Sequence, residues 1–191
     1  MRQARVGVLG GAFDPPHVGH VALARAAVER FALDRLLVRV LADPGHKRVA
    51  TPAAIRLELA RDAFAEIPEA EVAVDPHPRT VDSLLTLGLP EPTFLIGADE
   101  LADFPSWKQP ERVLELARLG VATRPGTSLE ELEAVLAALP RRDRVELFAI
   151  EPLAVSSSDV RARVARGEPI AGLVPAGVEA GIARHGLYRA R

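Results

Sequence analysis

A single α/β domain is predicted, a doubly wound parallel sheet with helices on both faces, and three observations predict it. Short apolar runs alternate with stretches of helical apolar spacing along the chain. A length of 191 residues suits one domain with a substantial core. No internal repeat, low-complexity tract or long linker divides it.

The elements can be justified in order. Residues 5–9 (RVGVL) form the first apolar run and the first predicted strand. The chain is expected to turn on Gly10 and Gly11 and then run as a helix over residues 18–31, where Val21, Ala24, Ala27, Val28 and Phe31 recur on one helical face. Further strands are predicted at 35–41, 71–74, 93–96, 119–123 and 145–150, with helices at 52–65, 81–87, 110–117, 129–139 and 158–166 between and after them. Thr51 before Pro52 reads as an N-cap followed by a first-position proline, and Ser128 with Glu131 as a capping box. Residues 175–185 read as a small outer helix, within a C-terminal segment of about 167–191 packed on the domain. In an open parallel sheet, ligands gather beyond the carboxyl ends of the strands, where residues 10–20, Gly97 and Arg124 should emerge.

Composition narrows the function classes. The formal charge is −2, so there is no global basic field to recruit nucleic acid, and any anion site must be local. The chain has no cysteine, hence no disulfide framework and no thiol nucleophile. The opening MRQARVGVLG is too short an apolar run for a signal peptide, and nothing approaches a membrane span, so a cytoplasmic protein is expected. There are 22 Arg against two Lys, a bias that GC-rich coding explains. Against that background Lys47 and Lys108 hint at places where a compact point charge is wanted.

The segment GGAFDPPHVGH, Gly10 to His20, carries the most chemistry. It sets glycines, an Asp and two His at a strand-to-helix junction, where unsatisfied helix N–H groups and the positive end of the dipole attract an anion. His17 and His20, three apart, share one helix face. The segment is neither a GxxxxGK[ST] phosphate loop nor a GxGxxG fingerprint. No third ligand stands at a recognisable spacing, so no resident metal site is expected.

This segment resembles the first signature of the (H/T)xGH nucleotidyltransferases, GGxFDPxHxGH. VSSSDVR, Val155 to Arg161, resembles their second, ISSTxIR, and the two stand in the expected order. IGADELADFPSWK, VATRPG and the terminal GLVPAGVEAGIARHGLY are similar to the bacterial nicotinate-mononucleotide adenylyltransferase branch, so the resemblance covers nearly the whole chain. It implies a Rossmann-like fold and transfer of the adenylyl group of ATP to nicotinate mononucleotide, giving nicotinate adenine dinucleotide and pyrophosphate. An attacking phosphate is already an anion near neutral pH, so such a site needs alignment and charge neutralisation rather than a nucleophile with its base.

By that resemblance, His17, His20, Lys47 and Arg161 are the catalytic candidates. ATP would lie against Gly10, Gly11, Ala12, Phe13, His17 and His20, with Ser156, Ser157, Ser158 and Arg161 on its β- and γ-phosphates. The mononucleotide would meet Asp14, His46, Lys47, Thr80, Gly97, Asp99, Trp107, Lys108 and Arg124. Within that set, Trp107 offers a face to the pyridine ring, Thr80 and the backbone after Trp107 its carboxylate contacts, Asp99 a ribose acceptor, and Arg124 a phosphate contact. His46 and Lys47 lie in a Pro-Gly loop, 42–50, expected to close on ligand and to be disordered without it.

Three departures stand out. Ala12 replaces a common Thr, Ser158 replaces a Thr while keeping its hydroxyl, and Arg79 stands where an aromatic is frequent. Arg79 could itself pair with a carboxylate. Mg2+ is expected with ATP, carried by phosphates and water. Expected partners are the two small substrates, with neither nucleic acid nor membrane, in a monomer or homodimer. The rival acceptors are nicotinamide mononucleotide and phosphopantetheine, and a non-catalytic nucleotide sensor is the rival from another class. A class I aminoacyl-tRNA synthetase fragment is set aside because KMSKS is absent.

Overall fold

The computed structural model describes residues 3–45, 49–124, 126 and 128–190. Among them six parallel strands form one sheet: β1 (Val6–Gly11), β2 (Arg35–Leu41), β3 (Ala70–Asp75), β4 (Thr93–Gly97), β5 (Arg118–Thr123) and β6 (Val145–Ala149). Their order is β3-β2-β1-β4-β5-β6, so the sheet is wound outward in both directions from β1. Eight α-helices are described: α1 (Val18–Phe31), α2 (Ala53–Phe64), α3 (Thr80–Leu87), α4 (Ala98–Asp103), α5 (Pro110–Leu116), α6 (Leu129–Ala138), α7 (Ser157–Ala165) and α8 (Ala176–Arg184). No helix among the described residues is long and apolar enough to cross a membrane.

Two apolar layers sandwich the sheet, because alternate strand residues face opposite sides. Leu9, Leu36, Val38, Leu95 and Ala122 face the layer that holds Ala24 and Ala27 of α1, Leu59 and Phe64 of α2, and Val178 and Ile182 of α8. Val8, Leu37, Phe94, Ile96 and Val121 face the opposite layer, with Val81 of α3, Leu101 of α4, Val113 of α5 and Leu132 of α6.

Three expectations need correction. Gly10 and Gly11 do not turn the chain: they extend β1, in register with Arg39 and Val40, and the reversal falls on Phe13, whose φ is 48°. Gly11 matters for another reason, since a Cβ there would stand 3.0 Å from the buried Phe13 ring. Thr51 is not an N-cap; Pro52 occupies the cap of α2, and Thr51 is buried with its hydroxyl 3.4 Å from the Tyr188 hydroxyl. The short α4 and the 3-10 turn Phe104–Ser106 that follows it fill a stretch with no predicted element. Ser128 does cap α6, its hydroxyl accepting the Glu131 N–H.

The loops leaving β1 and β2 are joined by a residue that carries no sequence signal. Arg56 of α2 is 1% exposed. Its Nε donates to the Thr51 carbonyl at 2.9 Å, its Nη1 to those of Ala12 and Leu41 at 2.7 and 2.8 Å, and its Nη2 to that of Ala42 at 3.0 Å. Burial lowers its pKa, with the nearby Asp14 as counterweight. Replacing Arg56 with Met would leave those carbonyls without a charged donor, so urea unfolding should show a loss of roughly 3–5 kcal/mol. A loss under about 1 kcal/mol would mean that water takes over the guanidinium's bonds.

Candidate active site

At the carboxyl ends of β1 and β4, where the sheet changes winding direction, lies a cavity of about 640 Å³. The backbone of Gly10, Gly11 and Ala12 forms one wall. Arg39, Leu41 and Asp75 of β2 and β3 form a second, and Pro78, Arg79, Thr80 and Ser83 a third, at the opening of α3. Phe94, Glu100, Trp107 and Lys108 close the far side. Trp107 is held edge-on to Phe94, with centroids 6.2 Å apart at 88°, and tilted on Phe104 at 5.2 Å. Lys108 Nζ is paired with the Asp82 carboxylate at 2.9 Å.

Beside the cavity the two sequence motifs meet. Ser157 Oγ donates to the Pro15 carbonyl at 2.8 Å, and Arg161 Nη1 to the Asp14 carbonyl at 2.6 Å. Each hydroxyl has one proton to give. Ser157 uses its proton on Pro15. Ser156 Oγ accepts the Asp159 N–H, and Ser158 Oγ accepts from Arg161 Nη2, so both of these keep a hydroxyl proton for an incoming anion.

His17 and His20 are stacked, with ring centroids 3.8 Å apart. His20 Nδ1 accepts the His17 backbone N–H at 3.2 Å, which places the His20 proton on Nε2 and leaves that nitrogen a donor. Gly19 makes the stack possible, because a Cβ there would stand 3.0 Å from His17 Nδ1 and 3.3 Å from Val155 of the second motif. His17 Nδ1 is buried with no hydrogen-bond partner among the described residues. Burial pushes this imidazole down to about 4. The Val18 N–H at this helix opening is taken by the Leu173 carbonyl at 3.0 Å, so fewer helix amides face an anion than the sequence suggests.

The remaining expected residues divide. Asp14 is buried, its carboxylate accepting from the Tyr188 hydroxyl at 2.6 Å, so the structure turns it inward rather than into the cavity. Gly97, Asp99 and Arg124 gather at the ends of β4 and β5 but line none of the cavity. The Gly97 N–H goes to the Glu100 carboxylate at 2.8 Å, and Arg124 pairs with Asp99 at 2.9 Å. Lys47 and His46 lie outside the described residues, as does Arg48. Sequence reasoning missed Arg39, Asp75, Ser83 and Phe94 on the cavity wall. Among the described residues no group of three His, Asp or Glu is placed to hold a metal ion.

A parallel sheet wound in both directions, with the two motifs bonded to each other at its switch point, defines a nucleotidyltransferase of Rossmann-like fold. The cytidylyltransferase-like family profile matches residues 8–163. A protein of Thermomicrobium roseum is 43% identical over 97% of this chain and 92% of its own length, and one of Thermus thermophilus is 41% identical over 97% and 100%. Both bear the name "Probable nicotinate-nucleotide adenylyltransferase". The chain belongs to the nicotinate-nucleotide adenylyltransferase family, enzymes of the nucleotidyltransferase class. The fold is also that of the Plasmodium falciparum nicotinic acid mononucleotide adenylyltransferase complexed with NaAD, with a TM-score of 0.81 at 18% identity over 97% of this chain and 98% of that one.

His17 yields a titration prediction. Its folded pKa of about 4 lies below the ordinary 6.5, so between those values the unfolded chain holds a proton that the folded one does not. Its contribution should therefore leave stability unchanged above pH 6.5 and lower it as pH falls toward 4. An NMR titration of the ligand-free protein should show one imidazole near 4 that disappears in His17→Gln. A His17 signal titrating at 6.5 would show a solvated ring.

Proposed function

We propose that this chain acts in the cytoplasm, transferring the adenylyl group of Mg-ATP to nicotinate mononucleotide. An oxygen of the mononucleotide phosphate bonds to the α-phosphorus of ATP, the α–β bridge bond breaks, and pyrophosphate leaves with that electron pair. One observation carries the reading: the motifs around His17 and Arg161 are hydrogen-bonded to each other beside a cavity that offers an aromatic face at Trp107. The motif junction takes the triphosphate, and the cavity takes the acceptor.

In this arrangement no side chain removes a proton. The His20 Nε2–H, the Ser156 and Ser158 hydroxyls and the remaining Arg161 protons meet oxygens on which charge grows, and they are positioned before the reaction begins. Lys47, His46 and the loop around them are assigned to the phosphates between the two substrates. Thr80, at the opening of α3, and the backbone after Trp107 are assigned to the ring substituent. Gly97, Asp99 and Arg124 would serve the acceptor's ribose and phosphate from the rim. Magnesium travels with ATP, ligated by phosphate oxygens and water.

The test is pyrophosphate release from Mg-ATP with nicotinate mononucleotide, nicotinamide mononucleotide or phosphopantetheine supplied in turn. The first should give by far the highest kcat/KM. Equal rates with all three would remove the acceptor assignment, and ATP binding without product from any would indicate a sensor. His20→Ala should cut turnover roughly 100-fold or more while changing the KM for ATP little. Unchanged turnover would take His20 out of the reaction. Arg161→Ala should raise the KM for ATP or lower turnover, and wild-type kinetics would reject its role.

A further inference from the structure

The cavity wall carries a cation that neither motif accounts for. Arg39 lies mid-strand in β2, in register with Gly10 of β1 and Ala73 of β3. Between a glycine and an alanine, its guanidinium has room to lie along the sheet. Its side chain is 18% exposed and it lines the cavity with Phe94 and Trp107. The same face of Gly10 looks toward Phe94, since a Cβ there would stand 3.6 Å from the Phe94 ring. Arg39 and the aromatic pair therefore face one volume across the bare backbone of β1.

The neighbouring carboxylate holds Arg39 without satisfying it. Asp75, 1% exposed, accepts from Ser83 Oγ, from the His77 backbone N–H at 3.0 Å and lies 2.9 Å from His77 Nδ1. Arg39 Nε is left 3.8 Å from Asp75 Oδ2, beyond hydrogen-bond reach, and this buried nitrogen has no partner among the described residues. A guanidinium presents a planar fork of donors suited to a carboxylate. Two further cations line the cavity: Lys108 is already paired with Asp82, and Arg79 is exposed at the N-cap of α3, on the rim rather than on the sheet floor.

We propose that Arg39 is a specificity-determining residue: it reads the charge on the acceptor's ring, favouring a pyridine carboxylate over the corresponding carboxamide. Asp75 acts through it, as a positioning residue that keeps the guanidinium turned toward the cavity. This inference rests on the pyridine mononucleotide reading above. An amide offers an NH2 where the acid offers an oxygen anion, so the amide both loses the ion pair and sets donor against donor.

The experiment compares kcat/KM for nicotinate and nicotinamide mononucleotide in wild type, Arg39→Gln and Arg39→Lys, with direct calorimetric titration of each mononucleotide. Arg39→Gln should reduce the acid-to-amide ratio roughly 10-fold or more, through KM for the acid, while Arg39→Lys keeps part of the preference. The KM for ATP should hold. An unchanged ratio overturns the proposal, and so does an equal loss for both acceptors, which would assign Arg39 to the phosphate they share. A wild type without acid preference also overturns it. If wild type instead makes no dinucleotide from either acceptor, the proposed reaction has failed. Should Arg39→Gln fold poorly, Arg39→Met decides in its place: a lowered acid-to-amide ratio supports the proposal, and an unchanged ratio overturns it.

Discussion

The Arg56 guanidinium, sealed between α2 and the ends of β1 and β2, holds in one plane of donors the carbonyls of two loops: Ala12 after β1, and Leu41, Ala42 and Thr51 between β2 and α2. Two walls of the site are tied to it. Ala12 belongs to the backbone that meets the cavity, while Leu41 and Ala42 begin the loop that leads to His46. A buried cation is costly unless its donors are all taken, and here the acceptors are main-chain oxygens that would otherwise lack partners in the interior. Charge and backbone therefore satisfy one another. The two loops are fixed as a unit, and neither can shift without exposing an unpaired group.

The second anchor comes from the far end of the chain. Asp14 receives Arg161 on its carbonyl and Tyr188 on its carboxylate, and Pro15 receives Ser157. The VSSSDVR motif is thus part scaffold, and proton count separates its serines. Ser157 gives its proton to protein, whereas Ser156 and Ser158 accept and retain theirs. Tyr188 feels this burial, with Asp14 adding to it, and its hydroxyl is pushed well above the usual phenol range, so it acts as a donor throughout. α8 brings that tyrosine into place by packing on α2, with Gly181 closely approached by Leu59.

The strand and helix pattern was readable because alternate strand positions feed two separate apolar layers, and that period is written in the residues. Boundaries slipped where a polar or backbone reason ruled. β1 runs on through Gly10 and Gly11 because β2 pairs with it there, and the turn passes to Phe13, whose ring anchors it against Phe64 at 5.7 Å. Both motifs were legible as local strings. Arg56, Arg39 and Asp75 were not, since a lone charged residue within an apolar segment gives no sign of which carbonyls or carboxylates the fold will bring to it. Asp14 shows the converse: its place in a signature suggested a ligand contact, and its burial assigns it to holding the signature together. One hint was available in β2, where Arg39 interrupts LLVRVL at a position that alternation assigns to the same face as Leu37.

These contacts bear on where positive charge resides before substrate arrives. His17 is neutral near pH 7 because burial opposes its cation, and His20 has its proton placed on Nε2 by the backbone of His17. The stacked imidazoles can thus lie 3.8 Å apart without the repulsion that two cations would suffer. A polyanion brought against them reverses the balance, because nearby negative charge favours the protonated ring and can offset part of the desolvation. Permanent charge is placed elsewhere: Arg161 is anchored by two hydrogen bonds and still has guanidinium protons to donate, and Arg39 is set in the wall of the cavity. A neutral His17 at the crowded helix opening, with guanidiniums anchored around it, lets the free protein fold without a cluster of unpaired cations.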